Sequence, residues 1–236
     1  MRRKDGRWPF HSLILAGGRS SRMGTDKAML PIDGEPLLAR LAGQLLALSE
    51  SVTIAAGSSA RAAAYREALN GPLPLLKTGE VQKADRLDSS KSPGSSIAEG
   101  RERLSFVEDI YPGDGPLAGL HAGLSALPEG YVFVIACDMP AVSEPLLARL
   151  AEEAGNSAAD VVHVKGQPFH ALYHTRMAAK LREALESKSF RVMQLLRGLH
   201  TAAVEGDAQD SLEGLMNLNT PEDYRDYIKR MRRDGR

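Results

Sequence analysis

Residues 12–27 read SLILAGGRSSRMGTDK. The run 12–16 is apolar at every position but the first and stops abruptly at Gly17-Gly18, the pattern of a buried strand of a parallel sheet entering a loop at its C-terminal end. The loop carries Gly17, Gly18 and Gly24 among Arg19, Arg22 and Lys27. Glycine lets successive amide N–H groups turn toward an anion and lets backbone approach it closely, and the three cations add full positive charge along the same stretch. The segment is not a Walker loop, which closes with Gly-Lys-Ser/Thr; here Ala28 follows Lys27 and Pro31 comes soon after. The dinucleotide fingerprint G-x-G-x-x-G is also missing. A loop that grips a polyphosphate directly after the first strand is the reading that uses all of these residues.

Working outward, Pro36 opens PLLARLAGQLLAL, with leucines at helical spacing and proline tolerated in the first turn. Residues 51–56 (SVTIAA) read as a second strand, 60–69 as a helix and 73–76 as a third strand. Two further strand–helix units follow: 104–108 into 117–127, and 131–136 (YVFVIA) into a helix from about Glu144. This alternation predicts a single three-layer α/β domain, Rossmann-like, with a mainly parallel sheet and helices on both faces. Residues 161–164 and 168–173 are close enough to pair as a hairpin, which makes the sheet mixed. Pro221 opens a last, strongly charged helix, with Thr220 in place as its N-cap. The expected domain spans 11–230, with tails at 1–10 and 231–236. The segment 79–103 is polar, with almost no large apolar residue; it cannot bury enough surface to offset its ordering entropy and reads as a mobile insertion.

With 43% hydrophobic and 25% charged residues, the composition is that of a globular chain with a substantial core. Thirty basic residues balance thirty acidic ones, so no net field points to nucleic acid. Cys137 is the sole cysteine, which excludes an internal disulfide and a cysteine-based zinc site. The apolar run 13–16 is far too short to span a membrane or serve as a signal segment. The expectation is a cytoplasmic protein with neither nucleic acid nor membrane as partner.

Asp138 follows the strongest strand, at the end where open α/β sheets place ligands. A carboxylate there suits Mg²⁺, which prefers oxygen donors and keeps several waters; the residue reads equally well as a helix cap. Asp109 reads as a turn residue. Gly115 and Gly119 either serve a turn and helix start or let backbone pass close to a base or ribose. His170 and His174 are four apart, but QPFHALYH reads as a strand, where four residues span about 13 Å, too far for one metal. Cys137 reads as a small buried residue.

At this point the chain resembles a known family. The run LAGGRSSRMGTDKAMLPIDGEPLL is similar to the signature of the molybdenum cofactor guanylyltransferases. Gly115-Pro-Leu-Ala-Gly119, Cys137-Asp-Met-Pro140 and Asn217-Leu-Asn-Thr-Pro-Glu222 match further family motifs in the right order. Gln167-Pro-Phe-His-Ala-Leu172 and Arg191-Val-Met193 look like family segments too. The resemblance implies the fold of the nucleotide-diphospho-sugar transferases. It also implies transfer of GMP from GTP to the terminal phosphate of molybdenum-bound molybdopterin, with release of pyrophosphate. It implies catalytic roles for Arg22, Lys27 and Asp138. Nucleotide contacts fall on Leu15, Ala16, Gly17, Gly18, Arg19, Lys27, Asp109, Gly115 and Asp138. Mg²⁺ falls on Asp138, acceptor contact on Asn219, and transient contact with cofactor or molybdoenzyme maturation proteins is a further implication. In one place the sequence departs from the family: the second strand ends in Ala55-Ala56-Gly57, where members often carry an asparagine that reads the base. Cytidylyl transfer to the same cofactor or to a sugar phosphate, and a non-catalytic nucleotide-binding scaffold, are the competing readings.

Overall fold

The computed structural model describes residues 2–18, 25–70, 100–206 and 215–233. Arg19, Arg22 and Gly24 of the glycine loop, the expected strand 73–76 and residues 79–99 of the expected insertion lie outside the described residues.

In chain order the strands are β1 (His11–Leu15), β2 (Pro31–Ile32), β3 (Glu35–Pro36), β4 (Val52–Gly57), β5 (Leu104–Glu108), β6 (Tyr131–Ala136), β7 (Val161–Val164), β8 (Gln167–His174) and β9 (Thr201–Val204). The helices are α1 (Leu37–Leu48), α2 (Ser59–Ala68), α3 (Pro116–Ala126), α4 (Glu144–Ser157), α5 (Ala178–Glu186), α6 (Val192–Arg197) and α7 (Pro221–Arg233). Seven strands form one sheet in the order β5-β4-β1-β6-β8-β7-β9. β8 runs antiparallel to both of its neighbours, and the other pairs are parallel. The expected α/β architecture with a mixed sheet is therefore what the chain adopts.

Side chains alternate across β1, and the two sets meet different helices. Ile14 and Ala16 share a core with Ile54, Phe133 and Ile135 and with the apolar faces of α1, α2 and α4. Leu13 and Leu15 share the opposite core with Val132, Val134 and the residues of α3, α5 and α6. Both faces of the central strands are thus covered, which explains why they read as unbroken apolar runs. Each fully buried leucine of α1, such as Leu37 or Leu41, stabilises this sandwich by about 1.5–3 kcal/mol. Gly123 lets α3 lie directly on β1: a Cβ there would sit 2.3 Å from a Leu13 methyl carbon.

Local chemistry sets the helix ends. Ser58 and Ser143 cap α2 and α4 by accepting from the backbone N–H of Arg61 and Leu146. At α7 the Thr220 hydroxyl accepts from the Asp223 N–H at 3.1 Å, and the Asp223 carboxylate accepts from the Thr220 N–H at 2.7 Å. This reciprocal cap starts the helix where Thr220-Pro221 predicts. α7 packs Tyr227 and Met231 against Leu30, Ile32 and Leu37 in a third cluster. Among the described residues no helix is long and apolar enough to cross a membrane.

Four features depart from the expectation. Trp8 and Phe10, inside the segment read as a tail, are buried and stacked with ring centroids 6.0 Å apart, and the Trp8 backbone N–H donates to the Leu48 carbonyl. Two aromatics spaced by one residue carry enough apolar area to anchor a strand's approach. The β2–β3 hairpin turns on Asp33 and Gly34, at φ 50° and 86°, an Asp-Gly turn signal visible in the sequence. β9 is a four-residue parallel edge strand beside β7; its TAAV sequence carries little of the β-branched pattern that marks strands. Of the segment 79–103, Arg103 is tied down: its guanidinium donates to the carbonyl of Leu46 at 2.7 Å, beneath α1.

Candidate active site

β1 lies between β4 and β6, and the chain leaves β1 for β4 on one side and later takes β6 on the other. Such a reversal of strand order opens a crevice at the carboxyl ends of the strands. Register makes the exits level: Leu15 pairs with both Ala55 and Ala136. The loop after β1 and the turn after β6 therefore face one cleft of about 420 Å³. Leu15, Ala16, Gly17, Gly18, Lys27, Asp109, Gly115, Asp138 and Asn219 all line it, together with Asp26, Gly119, Cys137 and Phe169. Of the residues singled out from the sequence, Arg19 and Arg22 fall outside the described positions.

The charged centre is compact. Lys27 Nζ lies 3.0 Å from Asp138 Oδ2 and donates to Asn219 Oδ1 at 2.8 Å. Asp138 is held in place by its own backbone, whose carbonyl accepts from the Leu218 N–H at 2.8 Å. That bond couples the turn after β6 to the segment before α7, which is how Asn219 reaches the cleft. A carboxylate and an amide oxygen thus converge on one cation, separated in sequence but adjacent in space. Hard oxygen donors of this kind fit Mg²⁺, which needs few protein ligands because it retains water.

Asp109 sits across the cleft in a different environment. Among the described residues its Oδ1 is buried without a hydrogen-bond partner, and desolvation pushes its carboxyl up to about 6 while the Arg61 charge pulls the other way. Gly119 leaves room beside it, since a Cβ at that position would lie 3.5 Å from Asp109 Oδ1 and 3.2 Å from Ala55 Cβ. Gly115 has φ +76°, which presents Pro116 as the first residue of α3. The exits of β1 and β4 touch backbone to backbone: a Cβ on Gly57, itself at φ +82°, would come within 3.0 Å of Gly17 Cα. That contact leaves no room for a side chain at Gly57, the last residue of the Ala55-Ala56-Gly57 ending that carries no asparagine.

Cys137 adjoins Asp138, and burial pushes its thiol up to about 12, with Asp138 and Asp26 adding to the effect. It is protonated at neutral pH and poorly suited to nucleophilic work. β8 contains both His170 and His174, so the strand reading of that segment stands. His170 packs edge-on against Phe133, and His174 caps the turn Thr175–Met177.

Three contributors were not singled out from the sequence. Asp26 Oδ1 accepts from the Ala28 N–H at 3.1 Å and so starts the short turn Lys27–Met29. Its other oxygen accepts from the Tyr65 hydroxyl at 2.8 Å and lies 3.6 Å from Arg61 Nε. Arg61 Nη1 donates to the Gly17 carbonyl at 2.8 Å, and the Tyr65 hydroxyl is 3.2 Å from the Ala16 carbonyl. Asp26 stands in the quoted motif; Arg61 and Tyr65 belong to a helix that reads as ordinary, and nothing local in the sequence marks them.

The arrangement offers amide groups and a lysine for a polyphosphate, oxygen donors for a divalent ion, and a buried acceptor for a base. The family model for the MobA-like NTP transferase domain matches residues 12–204. A probable molybdenum cofactor guanylyltransferase of Natronomonas pharaonis is 32% identical, over 89% of this chain and 93% of its own length. The molybdenum cofactor guanylyltransferase of Vibrio cholerae is 27% identical, over 91% and 89%. Among solved structures, molybdopterin-guanine dinucleotide biosynthesis protein A from Archaeoglobus fulgidus superposes with a TM-score of 0.71 at 19% identity, covering 95% of this chain and all of that one. A 2-C-methyl-D-erythritol 4-phosphate cytidylyltransferase from Thermus thermophilus gives 0.56 at 18% identity, over 94% and 98%. At these identities the structural matches speak for the fold.

Proposed function

Because this chain belongs to the MobA-like NTP transferase domain family, and is on that ground a nucleotidyltransferase, we propose that it transfers GMP from GTP to the terminal phosphate of molybdenum-bound molybdopterin. Pyrophosphate is the leaving group, and the product is the guanine dinucleotide form of the cofactor. The observation that carries this reading is the convergence of Lys27 Nζ, Asp138 Oδ2 and Asn219 Oδ1 within 3.0 Å in the cleft that Gly17 and Gly18 also line.

Each residue then has a physical task. The amides of Gly17 and Gly18 and the Lys27 ammonium bind the triphosphate and stabilise charge that builds on the leaving pyrophosphate. Mg²⁺, held by Asp138 with Asn219 beside it, supplies further neutralisation of phosphate oxygens when bound. Asp109 takes the base: guanine presents two adjacent N–H donors on one edge, and the buried unpartnered carboxylate oxygen is an acceptor for them. The acceptor enters from the side of Asn219 and Phe169. Its phosphate monoester has a second pKa near 6, so it is already largely dianionic at neutral pH and attacks the α-phosphorus without a general base. That fits a cleft built for alignment and charge rather than proton transfer. The proposal includes a cytoplasmic site of action, which the lone Cys137 suits, and hand-over of the product to maturation proteins.

A thermal-shift panel of GTP, CTP, ATP and UTP, each with Mg²⁺, tests the base. Stabilisation by GTP above the others is the expected result. A shift with CTP alone would establish cytidylyl transfer instead, a reading to which the Ala55-Ala56-Gly57 ending, without an asparagine, gives room.

A further inference from the structure

We propose that Tyr65 and Arg61, one turn apart on α2, are positioning residues that hold Ala16–Gly18 and Asp26–Lys27, the two described ends of the phosphate loop, in place for an anion. The inference rests on the reading of Gly17, Gly18 and Lys27 as the triphosphate site, and it assigns that site a brace from outside the cleft.

Peptide geometry makes the connection. In a trans peptide the C=O and the following N–H are fixed in one plane and point in opposite directions. Beyond the end of the sheet the Gly17 carbonyl has no strand partner, and Arg61 holds it at 2.8 Å. The Ala16 carbonyl lies 3.2 Å from the Tyr65 hydroxyl. Drawing both carbonyls toward α2 turns the N–H groups of Gly17 and Gly18 away from it, toward the cleft those glycines line. Glycine left alone would sample many orientations, so the orientation has to come from elsewhere.

The same two side chains reach the far end of the loop. The Tyr65 hydroxyl shares its proton between the Ala16 carbonyl and Asp26 Oδ2, the latter at 2.8 Å, and Arg61 Nε is 3.6 Å from that oxygen. Asp26 in turn starts the turn that carries Lys27. One helix therefore sets the direction of the amides and the place from which the lysine is delivered. Tyr65 is 1% exposed. Phenylalanine would fill the same space, so core packing alone does not explain the buried hydroxyl; its partners are both in the loop.

The test uses the full chain and binding of GTP and GMP with Mg²⁺, compared between wild type, Tyr65→Phe and Arg61→Met. Orientation of amides around a polyphosphate affects the triphosphate most, so we expect the Kd for GTP to rise by about 10-fold in each variant, with GMP changed by less than about 2-fold. Equal losses for GTP and GMP would show a merely structural role and overturn the proposal, as would unchanged GTP binding. The Arg61 side chain is 31% exposed, so its variant tests the proposal even if Tyr65→Phe lowers the melting temperature too far to assay. Wild type that binds none of the triphosphates would overturn the reading of the site itself, an outcome distinct from loss confined to the variants.

Discussion

Replacing Lys27 with alanine removes the ammonium that lies 3.0 Å from Asp138 and 2.8 Å from Asn219. Two consequences can be sized separately. For the fold, the Lys27 and Asp138 side chains are 15% and 22% exposed, so solvent screens the pair and its loss costs about 1 kcal/mol. In a chain of this length that lowers the melting temperature by about 2–4 °C. For catalysis, deleting a single neutral donor to developing charge costs about 10²–10³ in turnover. A full positive charge aimed at a leaving pyrophosphate is worth at least that, so kcat should fall by about 10³ or more. Continuous detection of pyrophosphate gives the rate, and a melting curve on the same sample gives the stability. A variant that melts within a few degrees of wild type yet retains more than about a tenth of its turnover would refute the role assigned to Lys27.

The other perturbations probe the base side and the packing beneath it. The Asp109 carboxyl is pushed up to about 6 from 3.8 by burial, so the folded protein holds that proton more tightly than the unfolded chain does. Its contribution to stability is present below pH 4 and lost as the pH rises toward 6. Asp109→Asn should therefore melt higher than wild type at pH 7.5, with the gap closing below pH 5. GTP affinity of wild type should drop as the pH falls through 6, and the Asn variant should show no such step. Gly57→Asn would put an amide at the end of β4, but its Cβ would meet Gly17 Cα at 3.0 Å; melting curves should show a loss of about 1–3 kcal/mol, and GTP titration no gain in affinity. Gly123→Ala gains about 1 kcal/mol of helix propensity. It also drives a methyl into Leu13 at 2.3 Å, and the overpacking cost of about 1–3 kcal/mol should leave a net loss by urea denaturation.

What the sequence revealed, and what it hid, follows from how local each interaction is. β1 announces itself because both its faces are buried, leaving no polar residue between Leu13 and Ala16, and the glycines mark where it ends. Asp138 was legible because it follows the most apolar strand, YVFVIA, and Thr220 because a hydroxyl before proline suits a helix start. Each of these signals is written within a few residues. The brace on the loop is not. Arg61 meets Gly17, and Tyr65 meets Ala16 and Asp26, only once α2 has docked, and on the helix itself they read as one more exposed cation and one more core aromatic. The link between Asp138 and Leu218 is likewise a product of the fold. Trp8 and Phe10 were misread for the opposite reason, since the basic residues around them dominate a segment whose two aromatics decide its position. The Asp33-Gly34 turn was available in the sequence, but its flanking strands are two residues long, too short to show a period.

The most direct measurement is a single reaction: the protein with GTP, Mg²⁺ and molybdenum-bound molybdopterin, followed for pyrophosphate and for the dinucleotide. One pyrophosphate released per dinucleotide formed, only when both substrates are present and with GTP preferred over CTP, is the expected result. No pyrophosphate with any of the four triphosphates, or release with CTP alone, would contradict the assignment of this cleft to guanylyl transfer.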